Sequence, residues 1–177
     1  AAAWSFPGPA GGEENWPGWR GPRGDGSSPD TEVPLAWSVE KNLVWKTAIP
    51  GAGHASPIVW QDDVFVVTAV DDQRQLLCLD RTIGELKWRQ TVLSSPPEGK
   101  HIRNSHASST PATDGERVYV SFLDGDKMFV AAHDFAGKRI WEARPGGFSS
   151  VHGYCSSPVL WNGKVIVNGD HDGDSYL

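Results

Sequence analysis

The chain has 177 residues and a formal net charge of −6, with 16 Lys and Arg scattered among 22 Asp and Glu. That balance excludes a general nucleic-acid surface, which needs a basic stripe. The longest apolar stretches are of strand length, too short for a transmembrane helix. Nine Trp, twenty Gly and thirteen Pro are heavy for a helical protein, and no long 3.6-residue period runs free of Gly and Pro, so no helix is predicted.

Residues 1–30 are rich in Gly, Pro and Ala and carry no strand pattern. They read as an irregular N-terminal arm. Its Ala-rich start is what signal-peptide cleavage often leaves, which points to an exported protein, periplasmic or secreted. Trp16 and Trp19 are expected to anchor the arm against the side of the folded body; the alternative is an unattached arm. Cys78 lies in an apolar strand and Cys155 just before a strand, and both are expected to be free thiols.

From Ser56 onward one phrase is spoken three times. The first copy runs from Ser56 to Trp88, the second from Thr110 to Trp141, and the third starts at Ser157 and stops at Leu177. Pro to first strand Val is seven residues each time: Pro57 to Val64, Pro111 to Val118, Pro158 to Val165. Pro to closing Trp is 31 residues in the first copy and 30 in the second. Such a period signals a repeat architecture. Within each copy a short strand follows the Pro, and then a polar turn at Gln61-Asp62-Asp63, Asp114-Gly115-Glu116 or Asn162-Gly163. A strand apolar on both faces comes next (Val64–Val67, Val118–Val120, Val165–Val167). A second turn follows, and then a third strand at Leu76–Leu79 and Met128–Ala132. A Gly turn leads to the last strand, which carries Trp88 or Trp141. Asp-Gly and Asn-Gly turns between β-rich runs are hairpin signals.

Four antiparallel strands per repeat make a β-propeller blade. The predicted fold is therefore all-β: residues 31–177 form a partial propeller of about two full blades plus part of a third, with repeats at about 46–88, 107–141 and 154–177. Closed propellers usually have at least four blades. The chain thus reads as the N-terminal part of a longer propeller with the rest missing, or else as a small protein that closes by oligomerising.

The closing phrases LDRTIGELKW and AHDFAGKRIW resemble the repeat of pyrroloquinoline-quinone-type propellers, roughly A-x-D-x-x-T-G-x-x-x-W. The resemblance covers about Leu35 to Leu177. It implies that Gly84 and Gly137 hold the turn and that Trp88 and Trp141 dock against the neighbouring blade. Trp45 resembles the closing Trp of a preceding or shared blade. Ile83 and Ala136 stand where the pattern has Thr, and His133 stands where the first copy has Asp80. Upstream, NWPGWRGPRGDG with the WKT-x-I-P-G-x-G-H stretch resembles secreted quinone-type-repeat proteins of environmental bacteria.

Three features are candidates for chemistry. A His-Ser cluster precedes each repeat's Pro: His54 and Ser56, then Asn104 and His106, then His152 and Tyr154. These residues enter innermost strands, so they are expected to converge at one mouth of the channel and to bind a polar or anionic ligand, or a metal through the imidazoles. The competing and preferred reading is that the hydroxyls satisfy backbone groups where inner strands crowd. Second, Asp170, Asp172 and Asp174 resemble part of a calcium loop, but they occupy a slot that holds hairpin turns in the other copies. Third, the long connection Thr91–Ser105 brings Lys100, His101, Arg103 and Asn104 toward the same mouth; a solvated insertion is the alternative.

The resemblance implies two functions. One is a non-enzymatic exported propeller, similar to outer-membrane-assembly scaffolds, that binds a protein or a small polar ligand without a cofactor. The other is the N-terminal part of a pyrroloquinoline-quinone-dependent alcohol or sugar dehydrogenase, which would require the quinone and calcium. No catalytic residue is identified and no adjacent-Cys pair is present, so the scaffold reading is preferred. Fold alone does not fix function.

Overall fold

A computed structural model describes residues 15–31 and 33–177. The described residues form ten strands and no helix. The first blade is β1 (Ile58–Trp60), β2 (Asp63–Val70), β3 (Gln73–Asp80) and β4 (Leu86–Ser94); the second is β5 (Ala112–Thr113), β6 (Arg117–Asp124), β7 (Lys127–Asp134) and β8 (Arg139–Ala143). Each is a four-stranded antiparallel sheet with strands in chain order. The third copy pairs β9 (Val159–Trp161) with β10 (Lys164–Ile166). This is the partial propeller of four-stranded blades that the repeat predicts.

The two full blades share one register. Ile58 faces Phe65, Phe65 faces Cys78 and Cys78 faces Trp88. In the second blade Ala112 faces Tyr119, Tyr119 faces Ala132 and Ala132 faces Trp141. Both outer pairings slip at the same step, between Cys78 and Leu79 and between Ala132 and His133. The closing Trp rings repeat this identity. Trp88 lies 6.0 Å from Phe65 at 48°, and Trp141 lies 6.0 Å from Tyr119 at 45°. Two-residue turns set the registers. Gln61, Asp71 and Asn162 adopt φ of 51°, 53° and 49° there, the left-handed region that tight hairpins need.

The core lies between blades. Phe65, Val67, Leu76 and Cys78 of the first sheet pack with Val118, Val120, Phe122 and Phe129 of the second. Phe65, Phe122 and Phe129 are at most 1% exposed, and each such ring contributes about 1.5–3 kcal/mol by leaving water. The opposite face of the second blade, with Leu123, Met128 and Val130, meets Phe148 and Tyr154, and Val165 and Val167 of the third copy pack on it. Each sheet is thus covered on the side where its alternating strand residues are apolar, as repeat units require.

Trp45 sits outside any strand, so the predicted closing strand around it is not formed. Its ring nevertheless takes an equivalent seat. The Trp45 indole N–H donates to the Arg81 carbonyl at 2.8 Å, and the Trp88 indole N–H donates to the Phe135 carbonyl at 2.9 Å. Each indole covers the turn glycine. A Cβ on Gly84 would fall 2.5 Å from the Trp45 ring, and one on Gly137 3.0 Å from the Trp88 ring. Both glycines also have positive φ, 73° and 85°, so sterics and backbone alike select Gly. The long connection after Trp88 is partly strand, since β4 continues to Ser94.

Candidate functional site

The three opening strands are neighbours, β5 lying between β1 and β9. Their entry points are joined by a relay of hydroxyls. Ser56 N–H donates to Thr110 Oγ1 at 3.0 Å, and Thr110 N–H donates to Ser157 Oγ at 3.0 Å. All three residues immediately precede their repeat's Pro, so each blade's hydroxyl accepts from the preceding blade's backbone. His54 and Ala55 N–H add bonds to the Ala107 carbonyl at 3.0 and 3.2 Å. The hydroxyls therefore satisfy backbone groups, as the preferred sequence reading holds.

The arm contributes more than the sequence shows. Trp16 exchanges backbone hydrogen bonds with Val59 at 2.8 and 2.9 Å, and Thr113 N–H donates to the Pro17 carbonyl at 2.8 Å. Val59 and Thr113 both stand two residues after their Pro. The arm thus joins β1 by an isolated antiparallel bridge and β5 by one further backbone bond, and Trp16 is held there through its backbone. Trp19 follows, 57% exposed, with the Arg20 guanidinium 5.0 Å from its ring.

An open cleft of about 460 Å³ lies at the entry to these strands. The arm supplies Trp19 to it, and the loop before β1 supplies His54. Arg103 and Asn104 come from the end of the long connection, followed by Ser108 and Thr110. The third copy adds Cys155, Ser156 and Ser157. Among the sequence candidates, His54, Arg103 and Asn104 are brought together here. Asn104 is a brace: its Nδ2 donates to the His152 carbonyl at 2.7 Å, and its Oδ1 accepts Ser105 N–H at 2.8 Å and the Ser108 hydroxyl at 2.6 Å. That leaves the adjacent Arg103 side chain with no hydrogen bond or ion pair among the described residues.

The other candidates point elsewhere. Tyr154 is 5% exposed; its hydroxyl donates to Ser121 Oγ at 3.0 Å and its ring meets Phe148 edge-on at 5.1 Å. Burial pushes its phenol up to about 12, so it stays neutral and internal rather than lining the mouth. His106 turns toward the long connection, its Nδ1 3.0 Å from Glu98 Oε1 without the alignment of a hydrogen bond. His152 is exposed, 5.9 Å from the His101 ring, and contributes its carbonyl. Ser56 serves the relay through its backbone.

Asp170, Asp172 and Asp174 do not converge, since no three His, Cys, Asp or Glu side chains among the described residues are placed to share an ion. Asp170 Oδ1 accepts the Ser175 hydroxyl at 2.9 Å, and the bridge between Gly169 and Tyr176 turns the chain back on itself there.

Two features escaped sequence reasoning. Trp19 reaches the cleft because a distant strand edge holds its segment, and nothing local marks that. Arg74 is fully buried in β3. Its guanidinium pairs with Glu98, donates to the Ser95 carbonyl at 2.7 Å and reaches the Asp72 carbonyl at 3.2 Å. With His106 on the other Glu98 oxygen, this buried group rivets the long connection to the first blade. A single Arg between Gln73 and Gln75, just before the apolar run Leu76–Leu79, was the available signal.

Comparison with known proteins agrees with the propeller fold. Residues 34–170 match the family model described as outer membrane protein assembly factor BamB. The crystal structure of BamB from Moraxella catarrhalis superposes with a TM-score of 0.53 at 18% identity, covering 70% of this chain and 36% of that one. The chain therefore spans about a third of that structure's length. A europium-containing methanol dehydrogenase gives a TM-score of 0.39 at 20% identity, covering 52% of this chain and 15% of that one. None of the curated proteins matches the sequence.

Proposed function

Since the chain belongs to the family of outer membrane protein assembly factor BamB, we propose that it is part of an exported, non-enzymatic propeller that works as a binding scaffold. The observation that carries this reading is the cleft around Arg103 and His54. Its lining is rich in donors, contains no carboxylate among the described residues and rests on the hydroxyl relay that ties three blades together. A rigid frame carrying unspent polar groups on loops is the usual form of a recognition site. In this reading Trp45 and Trp88 are docking residues that fix one blade on the next. Trp141 offers the same face to a further blade.

The dehydrogenase alternative implies the quinone with calcium. Calcium takes six to eight oxygen ligands, and the cleft presents hydroxyls, an imidazole and a guanidinium instead. This donor set does not fit a hard cation.

Two measurements on the full-length protein test the proposal. Supplied with pyrroloquinoline quinone and calcium, it should oxidise alcohols with a dye acceptor no faster than the protein-free control; turnover above that control supports the dehydrogenase. A photo-crosslinker at Trp19 should capture an envelope protein, and Arg103→Ala should suppress the capture. Capture that Arg103→Ala leaves unchanged, or no capture at all, argues against the cleft as the scaffold's binding face. Fractionation should place the protein in the cell envelope.

A further inference from the structure

Building on the scaffold reading, we infer that the cleft recognises a single carboxylate on a partner peptide, with an apolar neighbouring side chain laid against Trp19. The argument starts from what is unspent. Thr110 and Ser157 use their hydroxyl oxygens to accept backbone N–H groups. Their O–H protons have no acceptor among the described residues, although Thr110 is only 2% exposed. A hydroxyl that has accepted one bond still has one to give. The Arg103 guanidinium carries five donors and has no hydrogen-bond or ion-pair partner among the described residues, on a backbone that Asn104 holds in place.

Charge decides the kind of ligand. The chain is net negative at −6, yet among the described residues no Asp or Glu lines this cleft. Carboxylates are thus held away from a guanidinium that has room for one. Arg103 is the one residue of the lining with a fixed charge. One guanidinium matches one carboxylate, and its planar fork takes both oxygens at once. A phosphate dianion would leave a charge that the lining itself does not compensate. Trp19 has Arg20 over its ring yet is still 57% exposed, and that open area is apolar surface beside the charge, so the carboxylate is better carried on a peptide with a hydrophobic neighbour than as a free ion. Both an internal Glu and a chain terminus offer this chemistry.

The experiment uses the full-length protein and three acetylated peptides, followed by calorimetry. One is acetyl-Ala-Leu-Glu-Leu-Ala-amide, the second has Gln in place of Glu, and the third is the Gln peptide with a free terminal carboxylate. At least one carboxylate peptide should bind about tenfold or more tighter than the Gln amide, the range for a charge-assisted bond. Which one binds distinguishes an internal acidic residue from a chain end. Arg103→Gln should erase that preference with the unfolding midpoint unchanged, since Arg103 is exposed. Trp19→Ala should weaken all three peptides alike. Equal binding of the Gln amide, a preference that survives Arg103→Gln, or equally effective displacement by inorganic phosphate overturns the inference. If none of the peptides binds while the Trp19 crosslink still captures a partner, the carboxylate is wrong and the scaffold stands.

Discussion

Replacing Trp88 and Trp141 separately by Ala tests whether equivalent residues in equivalent strands carry equal weight. Trp88 packs 6.0 Å from Phe65, covers Gly137 of the next blade and donates its indole N–H to the Phe135 carbonyl at 2.9 Å. Trp141 has Tyr119 as its sole ring or hydrogen-bond partner among the described residues and is 37% exposed. Truncating a buried Trp costs about 3–5 kcal/mol, and Trp88 is half-buried, which places it near 3 kcal/mol by that scale, with about 1 kcal/mol of it from the hydrogen bond. Trp141 loses a ring pair and little else, about 1 kcal/mol. In urea, with a slope of about 2 kcal/mol/M, the midpoint should fall by about 1.5 M for Trp88→Ala and about 0.5 M for Trp141→Ala. Trp88→Phe separates the rings from the N–H and should recover most of the loss. Equal shifts for the two Ala variants, or a Trp88→Ala cost under about 1 kcal/mol on the same scale, would refute the seat on the next blade as the source of the difference.

The same urea assay reads two further perturbations. Gly84→Ala should cost more than about 2 kcal/mol, because the left-handed backbone alone costs about 1–2 and the new Cβ meets the Trp45 ring. Gly125→Ala, with φ of 64° and open space around it, should show the backbone cost alone; equal losses would mean that the Trp45 seat contributes nothing. Glu98→Leu should cost about 3 kcal/mol by stranding the buried Arg74, and adding Arg74→Met should restore much of it. Strictly additive costs would show that the two groups are not coupled. A thiol reagent at pH 8 should modify exposed Cys155 and spare Cys78, which is buried and pushed up to about 12, by burial first and then by Asp63. Two thiols reacting before unfolding would contradict that burial.

The blades were legible because a strand's period and a turn's chemistry are local. Seven residues from Pro to Val became the pairing of Ile58 with Phe65 and of Ala112 with Tyr119. The matched Pro-to-Trp distance became Cys78 opposite Trp88 and Ala132 opposite Trp141. Position along the chain also carried His54, Arg103 and Asn104 to one cleft. What failed was direction. Tyr154 and His106 enter inner strands as expected, but Ser121 and Phe148 offered one a dry partner and Glu98 offered the other a charged one. Those partners lie 33, 6 and 8 residues away in sequence, and no pattern announces them. Trp19 depends on the pairing of Trp16 with Val59, a contact between a segment without periodicity and a strand edge that any extended chain fits.

The relay from Ser56 to Thr110 to Ser157 also acts as a gauge of angle. Both rungs measure 3.0 Å and join the same repeat position in successive blades, so each step around the axis is set by the reach of one short hydroxyl. Ser and Thr carry that oxygen on the same carbon and are interchangeable in this role. A longer polar side chain would still bond, but it would open the wedge between two blades. Because a ring closes only when its wedges sum to a full turn, an error at one rung would be passed to every blade that follows it.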